Sequence, residues 1–284
     1  MFYAFLATGI SALTLVLQKF ILSRLKIEFR LFNAIGFISL ALAAFIWTMA
    51  NHSLPSANFF STPILILLLI LLLVVFVWNY LFAYALCKES MAESELIIMM
   101  QPFFTVLLAY AVLPSERSLT IFLPAIFAGL ILVWANFKKH HLAFDQMEKF
   151  LLFAVFLMAI DTIIIKEILS LYSISAESLY FLRSSLVAIP MIAVVFLFKV
   201  PIKINLKNLL WIVLSAVLAT GQFVFFYRAY LAIGVTQTIL ISLLAPVIVF
   251  LLSTYILKEK IAWKLWLALI LIIMCIALVQ FKII

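Results

Sequence analysis

The sequence predicts an all-α integral membrane protein with ten transmembrane helices, arranged as two inverted five-helix repeats. Three observations predict it. Apolar residues make up 69% of the 284-residue chain and charged residues 11%, and mean hydropathy is +1.35; a soluble domain has about 45–50% apolar and about 25% charged residues. The apolar residues fall in runs of roughly the 20 needed to cross a bilayer core. The order of features in the first half of the chain returns in the second.

Taken in order, the runs predict helices over 2–22, 31–50, 63–87, 92–113, 119–137, 150–171, 177–198, 208–232, 236–257 and 262–281. Lipid offers the backbone no hydrogen-bond partner, so each run must be helical. The longest polar connection, Phe137 to Lys149, divides five spans from five. It sets a first repeat at 1–137, a connecting loop at 138–149 and a second repeat at 150–284. Shifted by 144 residues, Pro102 falls on Pro246, Phe82 on Phe226 and Ala85 on Ala229; shifted by 147, Lys19 falls on Lys166. Each half has an aromatic-rich span, a short turn, a proline-centred span, a charged knot (Ser115-Glu116-Arg117 or Lys258-Glu259-Lys260) and a last span. Pro102 and Pro246 each remove a backbone donor and crowd the carbonyl four residues back. Both are hinge candidates, expected to kink spans four and nine.

Five spans per half invert one half against the other. Odd-numbered connections hold thirteen Lys and Arg residues, among them Arg24, Lys88, Lys138 and Lys203, whereas even connections and termini hold Arg117 and Lys282. The positive-inside rule would put the odd connections in the cytoplasm and both termini outside. The net charge of +8 is therefore read as topology and not as affinity for nucleic acid. Cys87 and Cys275 lie in or beside apolar runs, so no disulfide and no metal site are expected. The first run has no basic residue before it and no small-residue cleavage site after it, so it is expected to be a helix and not a signal peptide.

Two five-span halves, each closing with a proline-centred span, a Leu-x-x-Glu-type knot and a final span, resemble the EamA-type branch of the drug/metabolite transporter superfamily. The residues from Tyr227 to Lys264 carry the resemblance most strongly, followed by Phe82 to Asn136 and by Phe181-Leu182-Arg183. The resemblance implies a ten-helix permease of the bacterial cytoplasmic membrane that moves small metabolites such as amino acids, nucleotide derivatives or drugs, as monomer or homodimer. It implies cytoplasmic termini, against the loop charges. The chain departs from the pattern in having no glycine before the knot glutamates and in having Gly36 where the second span would carry an arginine.

Charged groups inside a bilayer face the bundle interior or a wet cavity, which makes them substrate-path candidates. Asp161 lies mid-span in the sixth run, Lys166 further along it, Arg183 in the seventh, and Lys19 near the end of the first. Asp161 suits a proton-coupling carboxylate or an amine partner; the structural alternative is an ion pair with Lys166, Arg183 or Lys19. Lys19 and Lys166 suit an anionic substrate group or snorkelling to the interface. Arg183 suits bracing between helices. Trp78 and Phe82 share one helix face, as Tyr227 and Tyr230 nearly do, so these four predict an aromatic cavity wall for a planar or amphipathic substrate. Ordinary packing is the alternative in a chain with 28 Phe. Gln101 beside Pro102 points at substrate or bonds the freed backbone. Glu93 and Glu95 read as acids favoured at a helix N-terminus.

These features favour a secondary transporter over other classes. No GxxxxGK[ST] sequence exists for ATP, so a proton gradient, exchange or the substrate gradient is expected to drive it. A membrane-embedded enzyme would need nucleophiles or metal ligands within the bundle, but His52, His140 and His141 all fall in connections. No cofactor is expected. A non-transporting scaffold remains the other class, and the internal repeat argues against it.

Overall fold

The computed structural model describes residues 1–55, 61–89, 91–117, 122, 127, 131, 145–172, 174–258, 263, 266, 267, 270, 271 and 274, and every regular element among them is helical. In chain order these are α1 (Phe2–Lys19, extended by a wider π-type turn Phe20–Arg24), α2 (Phe29–Ala50), α3 (Thr62–Lys88), α4 (Met91–Ile98), α5 (Gln101–Val112), α6 (Gln146–Leu171), α7 (Ala176–Leu197), α8 (Leu206–Ile233), α9 (Val235–Ser242) and α10 (Ala245–Leu252, extended by Ser253–Leu257). Among the described residues, six stretches are long and apolar enough to cross a membrane: Phe2–Arg24, Phe29–Ala50, Thr62–Lys88, Ala176–Leu197, Leu206–Ile233 and Val235–Ile256. Helix α6 is 26 residues long but carries Glu148, Lys149, Asp161, Lys166 and Glu167. The predicted spans at 119–137 and 262–281, the central loop and the knot residues Glu259 and Lys260 lie wholly or largely outside the described residues.

Local chemistry sets the helix starts. The Glu28 carboxylate accepts the Arg30 and Leu31 amides at 2.7 and 3.0 Å. Asp145 and Glu148 form a reciprocal capping box at the start of α6, and Ser175 and Asn205 cap α7 and α8. Helix α8 ends at Gly234, whose φ of +86° suits glycine. A Cβ there would also sit 2.7 Å from a Glu116 carboxylate oxygen.

The proline-centred spans are broken and not merely kinked. Span four is divided into α4 and α5 at Met99-Met100, and span nine into α9 and α10 at Leu243-Leu244. The backbone tightens at each break: the Met100 amide donates to the Ile97 carbonyl, and Leu244 to Ile241. Pro102 and Pro246 follow directly and cannot bond the Ile98 and Ser242 carbonyls.

Helix limits recur along the chain. Phe29–Ala50 and Ala176–Leu197 start and end 147 residues apart. Thr62 and Leu206, Met91 and Val235, Ile98 and Ser242, and Gln101 and Ala245 are all 144 apart. The difference of three arises in one place, where the connection at 51–61 is longer than that at 198–205. Packing recurs too: α1 packs on α8 as α3 packs on α6, α1 touches α9 and α10 as α6 touches α4 and α5, and α2 packs on α7. Leu65, Ile66, Leu69, Ile70 and Leu73 on α3, with Ile189 and Phe196 on α7, are exposed, as lipid-facing side chains of a bundle are.

Candidate functional site

The two helix breaks, α1 to α3 and α6 to α8 line a cavity of about 190 Å³. Both prolines line it, as do Ile98 and Ser242, whose carbonyls the prolines leave unbonded. Of the sequence candidates, Trp78, Phe82, Gln101, Asp161, Arg183, Tyr227 and Tyr230 line it; Lys19 and Lys166 do not.

At the heart of the polar wall, Arg183 on α7 donates through a terminal nitrogen to Asp161 Oδ2 on α6 at 2.6 Å. Both side chains are buried. Such a pair repays its desolvation only when close and well satisfied. Here satisfaction is partial: Asp161 Oδ1 and Arg183 Nε have no partner among the described residues. The guanidinium lies 4.9 Å from the Phe223 ring centroid, 5.8 Å from Tyr180 and 5.9 Å from Trp78, so rings take up the charge the carboxylate leaves over. Tyr180 stacks on Phe223 and meets Tyr227 edge-on, and Phe226 stacks on Tyr230. Of the ion-pair partners the sequence offered for Asp161, the structure selects Arg183.

The lysines bond backbone. Lys19 Nζ donates to the Leu86 carbonyl at 2.6 Å and also bonds the Glu89 carbonyl, both at the end of α3. Lys166 Nζ donates to the Tyr230 carbonyl near the end of α8 at 2.8 Å. Leu86 and Tyr230 are 144 residues apart, so the two lysines hold matching carbonyls. Cations suit helix C-termini, and this placement leaves neither ammonium for the cavity.

Arg228 binds Glu177, its Nε 2.8 Å from Oε1, and ties α8 to α7. The first charged knot works as a staple. Glu116 accepts the Val235 and Thr236 amides at 2.9 and 3.2 Å and the Thr236 hydroxyl at 2.7 Å, capping α9. Arg117 donates to the Tyr110 and Ala111 carbonyls at the end of α5.

One cavity residue was not among the sequence candidates. Glu95, read from sequence as an acid favoured near a helix N-terminus, is 2% exposed, lines the cavity, and its Oε2 has no partner among the described residues. The available signal was an acid already inside an apolar run. Thr14, Trp78 and Tyr227 likewise present unpartnered polar atoms from the lining. At positions 144 or 147 residues apart the side chains differ: Thr14 stands against Asp161, Gly36 against Arg183, and Trp78 against Gln222.

Broken spans around a cavity recur in membrane carriers. A solved crystal structure with 14% sequence identity shares this fold, with a TM-score of 0.69 over 98% of this chain and 94% of that one. No curated protein matches the sequence. The model of the EamA-like transporter family matches residues 147–281. The match over residues 147–281 supports a place in the drug/metabolite transporter superfamily, and the chain is a multi-pass membrane protein.

Proposed function

We propose that the protein is a secondary transporter that moves a small metabolite across the bacterial cytoplasmic membrane by alternating access around the central cavity. The observation that carries this reading is the pair of proline-broken spans, α4/α5 and α9/α10, meeting one cavity from opposite halves. Broken spans at a midplane site, where unbonded backbone faces a wet cavity, are how many carriers bind and release substrate. The matching helix limits and contacts support ten spans in two inverted repeats, 1–137 and 150–284, joined through 138–149. Pro102 and Pro246 act as hinges as the halves rock. Trp78, Phe82, Gln101, Asp161, Arg183, Tyr227 and Tyr230 form the substrate path. Lys19 and Lys166 act on it indirectly, by holding the ends of α3 and α8. A proton gradient or exchange supplies the energy.

Counterflow tests the proposal. Proteoliposomes preloaded with amino acids, nucleosides and their phosphate derivatives, or small amphipathic amines would be diluted into trace label of the same compound. Label should accumulate transiently and saturably for one class. Accumulation no greater than in protein-free liposomes across all classes would refute the transporter reading.

A further inference from the structure

The charge of the cavity decides what it can hold. Its described lining includes three charged side chains, Glu95, Asp161 and Arg183. Asp161 and Arg183 cancel, and the guanidinium is further engaged by the Phe223, Tyr180 and Trp78 rings. Lys19 and Lys166 are directed to the main-chain carbonyls of Leu86 and Tyr230, and neither lysine lines the cavity. Glu95 remains. It sits in α4 one turn before the break, it is 2% exposed, it forms no ion pair among the described residues, and its Oε2 has no partner there. A carboxylate in so apolar a setting carries a large desolvation cost unless a proton or a cation sits against it.

The rest of the wall fits a cation. Trp78 meets Phe82 edge-on at 6.1 Å, and Phe226 stacks on Tyr230 at 6.2 Å. Aromatic faces attract cations most when water is excluded. The volume of about 190 Å³ is below the roughly 300–1,000 Å³ of pockets for drug-sized ligands, and suits one ring or a short chain with a compact charged head.

We propose that the cavity binds an organic monocation and that the Glu95 carboxylate meets its positive charge. This rests on the transporter reading and names its substrate class.

The test is ligand binding to the full chain purified in detergent, read by thermal shift and titration calorimetry. The probes are benzyltrimethylammonium, a cation at every pH; neopentylbenzene, its uncharged carbon isostere; and phenylacetate, an anion. Only the cation should raise the melting temperature of the wild type. Glu95→Gln should weaken that binding at least about tenfold, the scale of one desolvated charge contact. The ligand-free melting temperature of that variant should equal or exceed the wild type's, because an unpaired buried charge is gone. Glu95→Asp should retain most of the affinity, which separates lost charge from lost fold. Equal binding of cation and isostere, preference for phenylacetate, unchanged affinity in Glu95→Gln, or no shift with any probe overturns the proposal. Binding in detergent needs no transport. Counterflow of an uncharged or anionic metabolite would therefore remove the cation and leave the transporter, whereas cation binding without counterflow of any compound would do the reverse.

Discussion

At Asp161 one side chain serves structure and site together. Its Oδ2 holds Arg183 while its Oδ1 stays unpaired at the cavity wall. Breaking a buried pair strands the surviving charge, so Asp161→Asn should destabilise the fold by about 3–5 kcal/mol. The double variant Asp161→Asn, Arg183→Met should recover part of that loss in detergent unfolding; a double variant as unstable as the single one would show that the pair is not the cause. Lys166 makes a second case. Lys166→Met leaves the Tyr230 carbonyl without this donor and should cost about 1–3 kcal/mol, read by the same unfolding measurement. A variant as stable as the wild type would mean that water replaces the ammonium at no cost. The candidacy of Asp161 and Arg183 was legible because charge is rare in apolar runs. The direction of the lysines was not, because reaching a helix end depends on which helices neighbour one another, and spacing along one run does not encode that.

Among the elements, the two broken spans carry the most consequence. A proline inside an apolar run marks a fault in the hydrogen-bond ladder, and the sequence showed both faults. It did not show that each span would divide into separate helices, because that depends on a cavity taking up the released backbone. Pro246→Ala restores the amide that the Ser242 carbonyl lacks. The variant should be at least as stable as the wild type and should slow exchange about tenfold, which corresponds to ~1.4 kcal/mol on the barrier. Wild-type exchange rates in proteoliposomes would dismiss the hinge. Glu95 was overlooked for a related reason. Four residues into a helix, an acid reads as a favourable end charge, and only the packing of α4 against α6 and α10 turns it inward.

For the whole molecule, the sequence offered a repeat, and helix limits recur in the structure at offsets of 144 and 147 residues. Several polar fastenings lie within one half: Lys19 to Leu86, Lys166 to Tyr230, Asp161 to Arg183, Glu177 to Arg228. Large contacts between halves, α1 with α8 and α3 with α6, are mainly helix face on helix face. Two fragments, 1–137 and 145–284, co-expressed with a tag on one, should therefore copurify and keep counterflow activity. Recovery of the tagged fragment alone would show that the halves need their covalent link to assemble. The mismatch of three residues between the connections at 51–61 and 198–205 also bears on where the fold tolerates a change of length. One residue lost within a span would turn everything beyond it by about 100° and slide it about 1.5 Å, presenting cavity side chains to lipid. In a water-exposed loop the same loss changes closure entropy by well under ~0.6 kcal/mol. On the proposed repeat, a change of loop length leaves the register within each span intact, so positions 144 or 147 residues apart stay matched while their occupants differ: Thr14 against Asp161, Gly36 against Arg183, Trp78 against Gln222.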